Sequence, residues 1–168
     1  PVGEGSLKRA SDLLRLKLEK EGLFDPARKS VVPFAPEAVG LITSKESAAY
    51  ADFVKILNER WSGVGVVHYD VQVQGEPAVS EIVAAIDAMN QLPNPPEVLV
   101  ITRGGGSADD LAAFGAEQVV RAIAGSRIPT IVAIGHEVDV SLAELAADLR
   151  ASTPSNAAQL LTPDKKQV

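Results

Sequence analysis

Apolar residues along the chain fall into two patterns. Four short apolar runs have the length of buried strands, at Val39 to Ile42, Val64 to Tyr69, Val98 to Ile101 and Ile128 to Ile134. Longer stretches of helical spacing and composition separate or follow them, over Ser47 to Asn58, Ala78 to Asn90 and Asp109 to Ile123. This alternation predicts an α/β fold, an open and mostly parallel sheet of about four strands with helices on both faces.

The flanks of this core have patterns of their own. Apolar residues at helical spacing predict an amphipathic helix from Ser6 to Glu21, which Gly22 ends by taking a left-handed conformation. The segment from Phe24 to Pro36 carries three prolines, and we expect an extended connector there. A last helix is predicted from Ser141 to Leu149, and the turn at Pro154 begins another.

Three predicted helix starts have the Ser/Thr-x-x-Asp/Glu spacing that satisfies the free amides of a helix N-terminus. They are Thr43 with Glu46, Ser107 with Asp110, and Ser141 with Glu144. Each lies after a predicted strand, and open α/β sheets bind ligands at the carboxyl ends of their strands. A strand order of 2-1-3-4 would bring the three loops together, so we expect the chemistry there.

The loop after Ile101 is Arg103-Gly104-Gly105-Gly106-Ser107. Successive glycines allow close backbone approach, and a helix N-terminus directs several amides at an anion. Arg103 adds a forked donor suited to phosphate. The spacing matches neither common nucleotide-binding fingerprint. The loop is therefore predicted to bind phosphate or carboxylate, and the alternative is a flexible turn with an exposed arginine.

The first loop begins at Thr43 and Ser44, and Asp52 lies in the helix that follows. At spacings of three and four, Asp52 shares one side of this helix with apolar residues, including Phe53 and Ile56. Because a buried carboxylate is costly without partners, Asp52 should be paired, hydrogen-bonded, or placed at the helix edge facing a site. The alternative is a purely structural aspartate, paired with an arginine or bonded to backbone.

The third loop, residues 135–139, reads Gly-His-Glu-Val-Asp. His136, flanked by Glu137 and Asp139, is a candidate general acid or base, and the alternative is a histidine held by a helix cap or loop hydrogen bond. His68 lies in a strand pattern and is predicted to be structural or on the surface. With Asp52, this triplet could also supply ligands to Mg²⁺ or Mn²⁺, whereas no histidine spacing supports zinc.

Composition narrows the function classes. The 168 residues, 46% of them apolar, suit one globular domain, and no apolar run of membrane-spanning length occurs, so we expect a soluble protein without a membrane partner. The absence of cysteine excludes disulfides and fits the cytoplasm. With a net charge of −6, any positive charge that binds nucleic acid must be local or on another domain. Because the sequence starts at Pro1 and not Met, we expect it to be part of a longer protein.

The ordered strings GLITS, VQVQGE, VLVITRGGGSADDL, AFGAE, RAIAGSRIPTIVAIGHEVDV and ADLRASTPSNAAQLL resemble the core of the exodeoxyribonuclease VII large-subunit family. The preceding EGLFDPARK is similar to that family too. The resemblance runs from about Leu13 to Leu161. It implies an N-terminal helix and connector at residues 1–36 and a nuclease catalytic core at residues 37–168. The family's OB-fold and C-terminal helical region would lie outside this chain.

This resemblance also implies an activity, a bacterial enzyme that hydrolyses single-stranded DNA from either end to short oligonucleotides. Its implied partners are single-stranded DNA and a small subunit, which binds through regions absent from this chain. The resemblance implies that the activity requires no metal cofactor, and an Mg²⁺-dependent activity is the alternative. The implied catalytic residues are Asp52, Arg103, His136 and Asp139. The predicted phosphate-binding residues are Thr43, Ser44, Gly104, Gly105, Gly106 and Ser107.

The mechanistic hypothesis gives each group a role. Arg103 and the amides around Gly104 to Ser107 hold the scissile phosphate, and His136 is the general base or acid. Asp139 orients His136 or helps to activate water, and Asp52 pairs with Arg103 or completes the water-activating set. Three alternatives remain open: an Mg²⁺ ion carried by the acidic residues, a non-catalytic phosphate- or nucleotide-binding α/β module, and a scaffold that binds no ligand at the loops.

Overall fold

The structure is a computed structural model that describes residues 2–72, 77–103, 108–134 and 140–163. In these ranges the strands are β1 Ala38–Thr43, β2 Gly65–Asp70, β3 Val98–Thr102, β4 Thr130–Ala133 and β5 Leu149–Ala151. The helices are α1 Val2–Lys20, α2 Ala48–Arg60, α3 Pro77–Asn90, α4 Glu117–Ala124, α5 Leu142–Ala146 and α6 Pro154–Leu161. All strand pairs are parallel, and the sheet has the order β2-β1-β3-β4-β5.

Helices cover both faces of this sheet. On one face, residues of α1, α3, α4 and α5 form one buried apolar cluster with Leu99 and Ile101 of β3, and on the other, residues of α2 and α6 form a second cluster with Val98 and Val100. Because successive side chains of a strand point to opposite faces, burial on both sides requires a continuous apolar run, which is what β3 has. The predicted α/β fold is confirmed. No helix in the described ranges is both long enough and apolar enough to cross a membrane.

Two predicted helices differ from the structure. The segment predicted as one helix from Asp109 to Ile123 consists of a 3₁₀ helix at Ala108–Gly115 and then α4, because Ala116 is extended and breaks the helical path. The predicted helix from Ser141 to Leu149 ends at Ala146, and its last residue starts β5. Pairing with the open edge of β4 outweighs local helical propensity there.

The N-terminal helix ends as predicted. Gly22 has a positive φ of 83°, and the amides of Gly22 and Leu23 donate to the carbonyls of Glu19 and Leu18, which forms the usual left-handed helix end. Just beyond the end of α1, Glu21 accepts two hydrogen bonds from Arg121 of α4, which also binds Glu117 in its own helix. Hydrogen bonding to Arg121 lowers the pKa of Glu21 and that of Glu117.

The connector after α1 is attached to α5. Lys29 Nζ donates to the carbonyl oxygens of Leu145 at 2.8 Å and Ala147 at 2.5 Å. Burial lowers the pKa of Lys29, and nearby Asp148 opposes that effect. Asp148 accepts a hydrogen bond from the Ser30 amide at 2.8 Å. The connector therefore holds the C-terminal end of α5 in place.

Gly40 in β1 should tolerate no side chain. A Cβ atom there would lie 2.7 Å from Leu99 Cδ2 and 2.9 Å from Pro96 Cγ, closer than packed carbon atoms approach. We expect Gly40→Ala to lower the free energy of unfolding by about 1–3 kcal/mol, because overpacking forces neighbours out of their rotamers. Urea denaturation measures this. The control is Gly65→Ala, whose Cβ would lie 3.5 Å from Glu37 O and should fit.

Candidate functional site

The strand order sets where a ligand binds. From β1 the chain passes to β2 on one side of the sheet and then to β3 on the other, so the connections diverge between β1 and β3. In open parallel sheets, the crevice at the carboxyl ends of such a strand pair is the usual ligand site. Thr43 ends β1, and Arg103 follows β3 directly. The order 2-1-3-4, under which the three predicted loops meet, is the one that the structure has.

Strand register brings the loop origins close together. Ile42 pairs with Ile101 and Thr102 pairs with Ala133, so Thr43 and Arg103 stand at neighbouring strand ends and Arg103 lies beside the end of β4. Neighbouring strands are about 4.8 Å apart, so the ends of β1, β3 and β4 fall within about 10 Å of each other.

Much of the predicted site lies outside the described residues. This applies to Gly104, Gly105, Gly106 and Ser107 in one loop, and to His136, Glu137 and Asp139 in the other. The structure describes where both loops begin and end. The first runs between Arg103 and the 3₁₀ helix, and the second between Ile134 and Val140. The roles assigned to these residues stay predictions.

Arg103 is buried, with 3% of its surface exposed. Its backbone amide donates to Ala133 O at 3.2 Å, and the Thr102 hydroxyl donates to the same oxygen at 2.6 Å. These bonds attach the start of the glycine-rich loop to β4. The alternative of a flexible turn with an exposed arginine is therefore wrong about the side chain. Because water screens a buried guanidinium only weakly, it interacts strongly with a charged group beside it.

The β1–α2 loop is held by bonds to β2. His68 Nε2 lies 2.9 Å from Thr43 O, and the Lys45 amide donates to Asp70 Oδ1 at 2.8 Å. The His68 ring lies 4.7 Å from the Tyr50 ring, so the prediction of a structural role for His68 is confirmed. The Thr43 hydroxyl is fully buried and has no hydrogen-bond partner within the described part of the chain. Such a group is unusual and marks a position where a bound polar group would be stabilising.

Of the three predicted helix caps, one is confirmed, one is wrong, and one lies outside the described residues. Thr43 is not the cap of α2, because a turn that begins at Ser44 separates β1 from the helix. The cap is Ser47, whose hydroxyl oxygen accepts a hydrogen bond from the Tyr50 amide at 3.2 Å. The Ser141 and Glu144 cap is confirmed, with bonds in both directions. Ser107 lies in a loop that the structure does not describe.

Asp52 is exposed, which corrects the prediction that it lies among apolar side chains. The buried stripe of α2 is Ala49, Phe53 and Leu57, at intervals of four residues, and Asp52 lies about 100° around the helix from Phe53. No salt bridge joins Asp52 to Arg103, although the structure describes both. The proposed pairing with Arg103 is therefore wrong. The remaining option is a helix-edge position, in the second turn of a helix that begins at the carboxyl edge of the sheet.

Arg150 and Glu144 were not among the predicted site residues. Arg150 lies in β5 opposite Val132 of β4, one residue from the carboxyl end of its strand. Its Nε binds Glu144 Oε2 at 2.5 Å, and the Glu144 side chain is 1% exposed. The capping motif could have drawn attention to Glu144. The pair with Arg150 depends on β5, a strand that local pattern did not predict.

A metal site is not supported by the described residues. In residues 2–72, 77–103, 108–134 and 140–163, no group of three or more histidine, aspartate or glutamate side chains could hold a metal ion. Three of the four proposed ligands lie outside those ranges, so the Mg²⁺ alternative stays a prediction.

Comparison with known proteins identifies the family of this chain. The family model for "Exonuclease VII, large subunit" matches residues 23–168. The chain belongs to the exonuclease VII large-subunit family. Exodeoxyribonuclease 7 large subunits are 49% identical over 99% of this chain in Hahella chejuensis, 45% over 98% in Rhodopirellula baltica and 48% over 99% in Desulforudis audaxviator. Those matches cover 37%, 37% and 41% of the relatives.

The chain thus spans about two fifths of the length of these exonuclease VII relatives. The family match starts just after α1 and includes every strand of the sheet. Among solved structures, a cobalamin-binding protein from Desulfitobacterium hafniense DCB-2 has a TM-score of 0.48 and 15% identity, over 74% of this chain and 57% of that chain. At this level of similarity, the match says nothing about the function of this chain.

Proposed function

We propose that this chain is the catalytic core of an exonuclease that hydrolyses the phosphodiester bonds of single-stranded DNA to short oligonucleotides. The whole protein would act in the bacterial cytoplasm together with a small subunit, which binds through regions outside this chain. Membership of the exonuclease VII large-subunit family supports the activity. The observation that carries the proposal is the meeting of the ends of β1, β3 and β4 at one edge of the sheet, with Arg103 buried there.

The proposed chemistry uses this edge. Arg103 and the amides of residues 104–107 would bind the scissile phosphate and stabilise the charge that develops on its oxygens. The Thr43 hydroxyl and Ser44 would add polar contacts at the adjoining strand end. His136 would transfer the proton of the attacking water or the leaving oxygen, and Asp139 would orient His136 or help to activate water.

Local charge makes this site compatible with an acidic domain. The chain has a net charge of −6, and polyanion binding depends on neutralising phosphates with Lys and Arg. Arg103 supplies one cation at the strand ends, and exposed Lys45 supplies another in the adjoining loop. We therefore propose that the core contributes cleavage, and that most of the affinity for DNA comes from the rest of the protein.

We propose that the core needs no metal cofactor, and Mg²⁺ carried by Asp52, Asp139 and Glu137 is the competing proposal. The test uses the full-length large subunit with its small subunit and an end-labelled single strand, with and without excess EDTA. Our proposal predicts short labelled oligonucleotides in both conditions, and little cleavage of a duplex of the same sequence. Cleavage that stops in EDTA favours the metal proposal. Binding without cleavage in either condition would leave a non-catalytic phosphate-binding module.

Asp52 should affect cleavage without affecting stability. Its side chain is exposed and makes no hydrogen bond or salt bridge within the described residues, so Asp52→Asn should leave the melting temperature unchanged. If it completes the water-activating set, the cleavage rate should fall by about 10- to 100-fold. The matched control is Glu59→Gln, an exposed carboxylate at the far end of α2, which should change neither quantity. An Asp52→Asn complex that cleaves at the wild-type rate would remove Asp52 from the site.

A further inference from the structure

The helix α5 follows the loop that contains His136, and it is held at both ends. It has five residues, too few to be stable alone. At its start, Ser141 Oγ accepts a hydrogen bond from the Glu144 amide at 3.2 Å, and Glu144 Oε1 accepts one from the Ser141 amide at 2.8 Å. At its end, Lys29 binds the carbonyl oxygens of Leu145 and Ala147. The cap at its start and the contact with Lys29 at its end, not helix propensity, therefore hold α5.

Glu144 connects this helix to the sheet. While Oε1 holds the Ser141 amide, Oε2 accepts a hydrogen bond from Arg150 Nε at 2.5 Å. The Glu144 side chain is 1% exposed, whereas the Arg150 side chain is 41% exposed. Arg150 belongs to β5, which pairs with β4, the strand from which the loop departs. One buried carboxylate thus joins the exit of the loop to the strand beside its entry.

Stability is a weak reason for such a pair. Removing a carboxylate from water costs free energy that its attraction to an arginine often only repays, and apolar replacements of buried pairs are commonly neutral or stabilising. What the pair does supply is a fixed geometry, because Glu144 engages both Ser141 and Arg150 through defined hydrogen bonds.

We propose that the Glu144–Arg150 ion pair fixes the position of Ser141, where the chain enters α5 after the segment that carries His136 and Asp139, and thereby supports the chemistry assigned to that segment. Glu144 holds Ser141 to the sheet, because it binds the Ser141 amide through one oxygen and Arg150 of β5 through the other. The proposal rests on the proposed function. Glu144 and Arg150 are positioning residues, since they act through the loop and not on the reacting atoms.

The test compares Glu144→Gln, Arg150→Ala and the double variant in the full-length large subunit with its small subunit. Each single change should lower kcat for an end-labelled single strand by about 10- to 100-fold and leave KM unchanged, because a misplaced loop slows chemistry and not binding. Arg150→Ala should also lower the melting temperature, since it leaves a buried carboxylate unpaired. In the double variant the melting temperature should recover while kcat stays low. Arg150→Lys should restore part of kcat.

Several outcomes would overturn the proposal. Recovery of kcat together with the melting temperature in the double variant would make the pair structural only. A raised KM with unchanged kcat would make Arg150 a substrate-binding residue. The control is Arg60→Ala, which removes bonds to Thr162 between α2 and the residue after α6, and should lower the melting temperature without changing kcat. Pair variants that cleave like an active wild type would end this inference alone, whereas an inactive wild type would end the proposed function.

Discussion

Replacing Arg103 with alanine should lower single-stranded DNA cleavage by the full two-subunit protein by about 10²- to 10³-fold. The arginine is buried at the end of β3, beside the crevice between β1 and β3. There its charge is little screened by water, and it would stabilise the charge that develops on the phosphate oxygens in the transition state. Single-turnover rates measure the loss directly.

Arg103→Lys separates charge from shape. A lysine keeps the positive charge but loses the planar fork that binds two phosphate oxygens, so most of the loss should remain. Because Arg103 is buried, melting temperatures must show that each variant is folded. Arg127→Ala is the matched control, an exposed arginine in the loop that leads into β4 at the opposite edge of the sheet, and it should leave the rate unchanged. A wild-type rate in a folded Arg103→Ala protein would contradict the phosphate-binding role.

Replacing His136 with alanine should have a comparable or larger effect, a fall of about 10²- to 10⁴-fold in the rate of cleavage. The reason is chemical. An imidazole titrates near neutral pH, so it can take a proton from water or give one to the leaving oxygen, and no methyl group can do either. Binding of the strand should change little, because the proposed anion site is formed by the other loop.

Two further measurements separate this role from a structural one. Added imidazole should restore part of the cleavage rate of His136→Ala, since a diffusible base can replace a missing one. The affinity for an uncleaved strand should match that of wild type. If rescue failed and affinity fell in step with rate, His136 would contribute to binding and not to proton transfer.

The sequence predicted features that depend on neighbouring residues. The left-handed end at Gly22, the helix start at Pro154 and the reciprocal cap of Ser141 and Glu144 are all present. Each is determined within a few residues, by glycine's access to positive φ, by proline's fixed φ, or by side chains that reach free amides. Strands β1, β3 and β4 were predictable for a related reason, because a strand covered on both faces must be apolar throughout. The prediction of a buried strand at Val64 to Tyr69 was wrong about burial, because β2 is the edge strand of the sheet and most of its residues are exposed.

The features that sequence did not predict depend on distant contacts. Strand β5 forms because β4 offers a free edge, and the Glu144–Arg150 pair forms only because β5 exists. Spacing alone placed Asp52 on the same side of α2 as Phe53 and Ile56, but the packed helix buries the narrower stripe of Ala49, Phe53 and Leu57 and leaves Asp52 exposed. Likewise, the turn at Ser44 is fixed by bonds to β2, so the helix cap moves beyond Thr43.

The most direct test of the proposed catalytic site is single-turnover cleavage of an end-labelled single strand by the full complex in excess EDTA, with bound and cleaved strand counted in the same reaction. Wild type should convert the bound strand to short labelled oligonucleotides, whereas His136→Ala should bind the strand but leave it intact. Cleavage by His136→Ala at the wild-type rate would contradict the claim that the carboxyl edge of this sheet performs the hydrolysis. A wild-type complex that binds the strand and never cleaves it would contradict the proposed function itself.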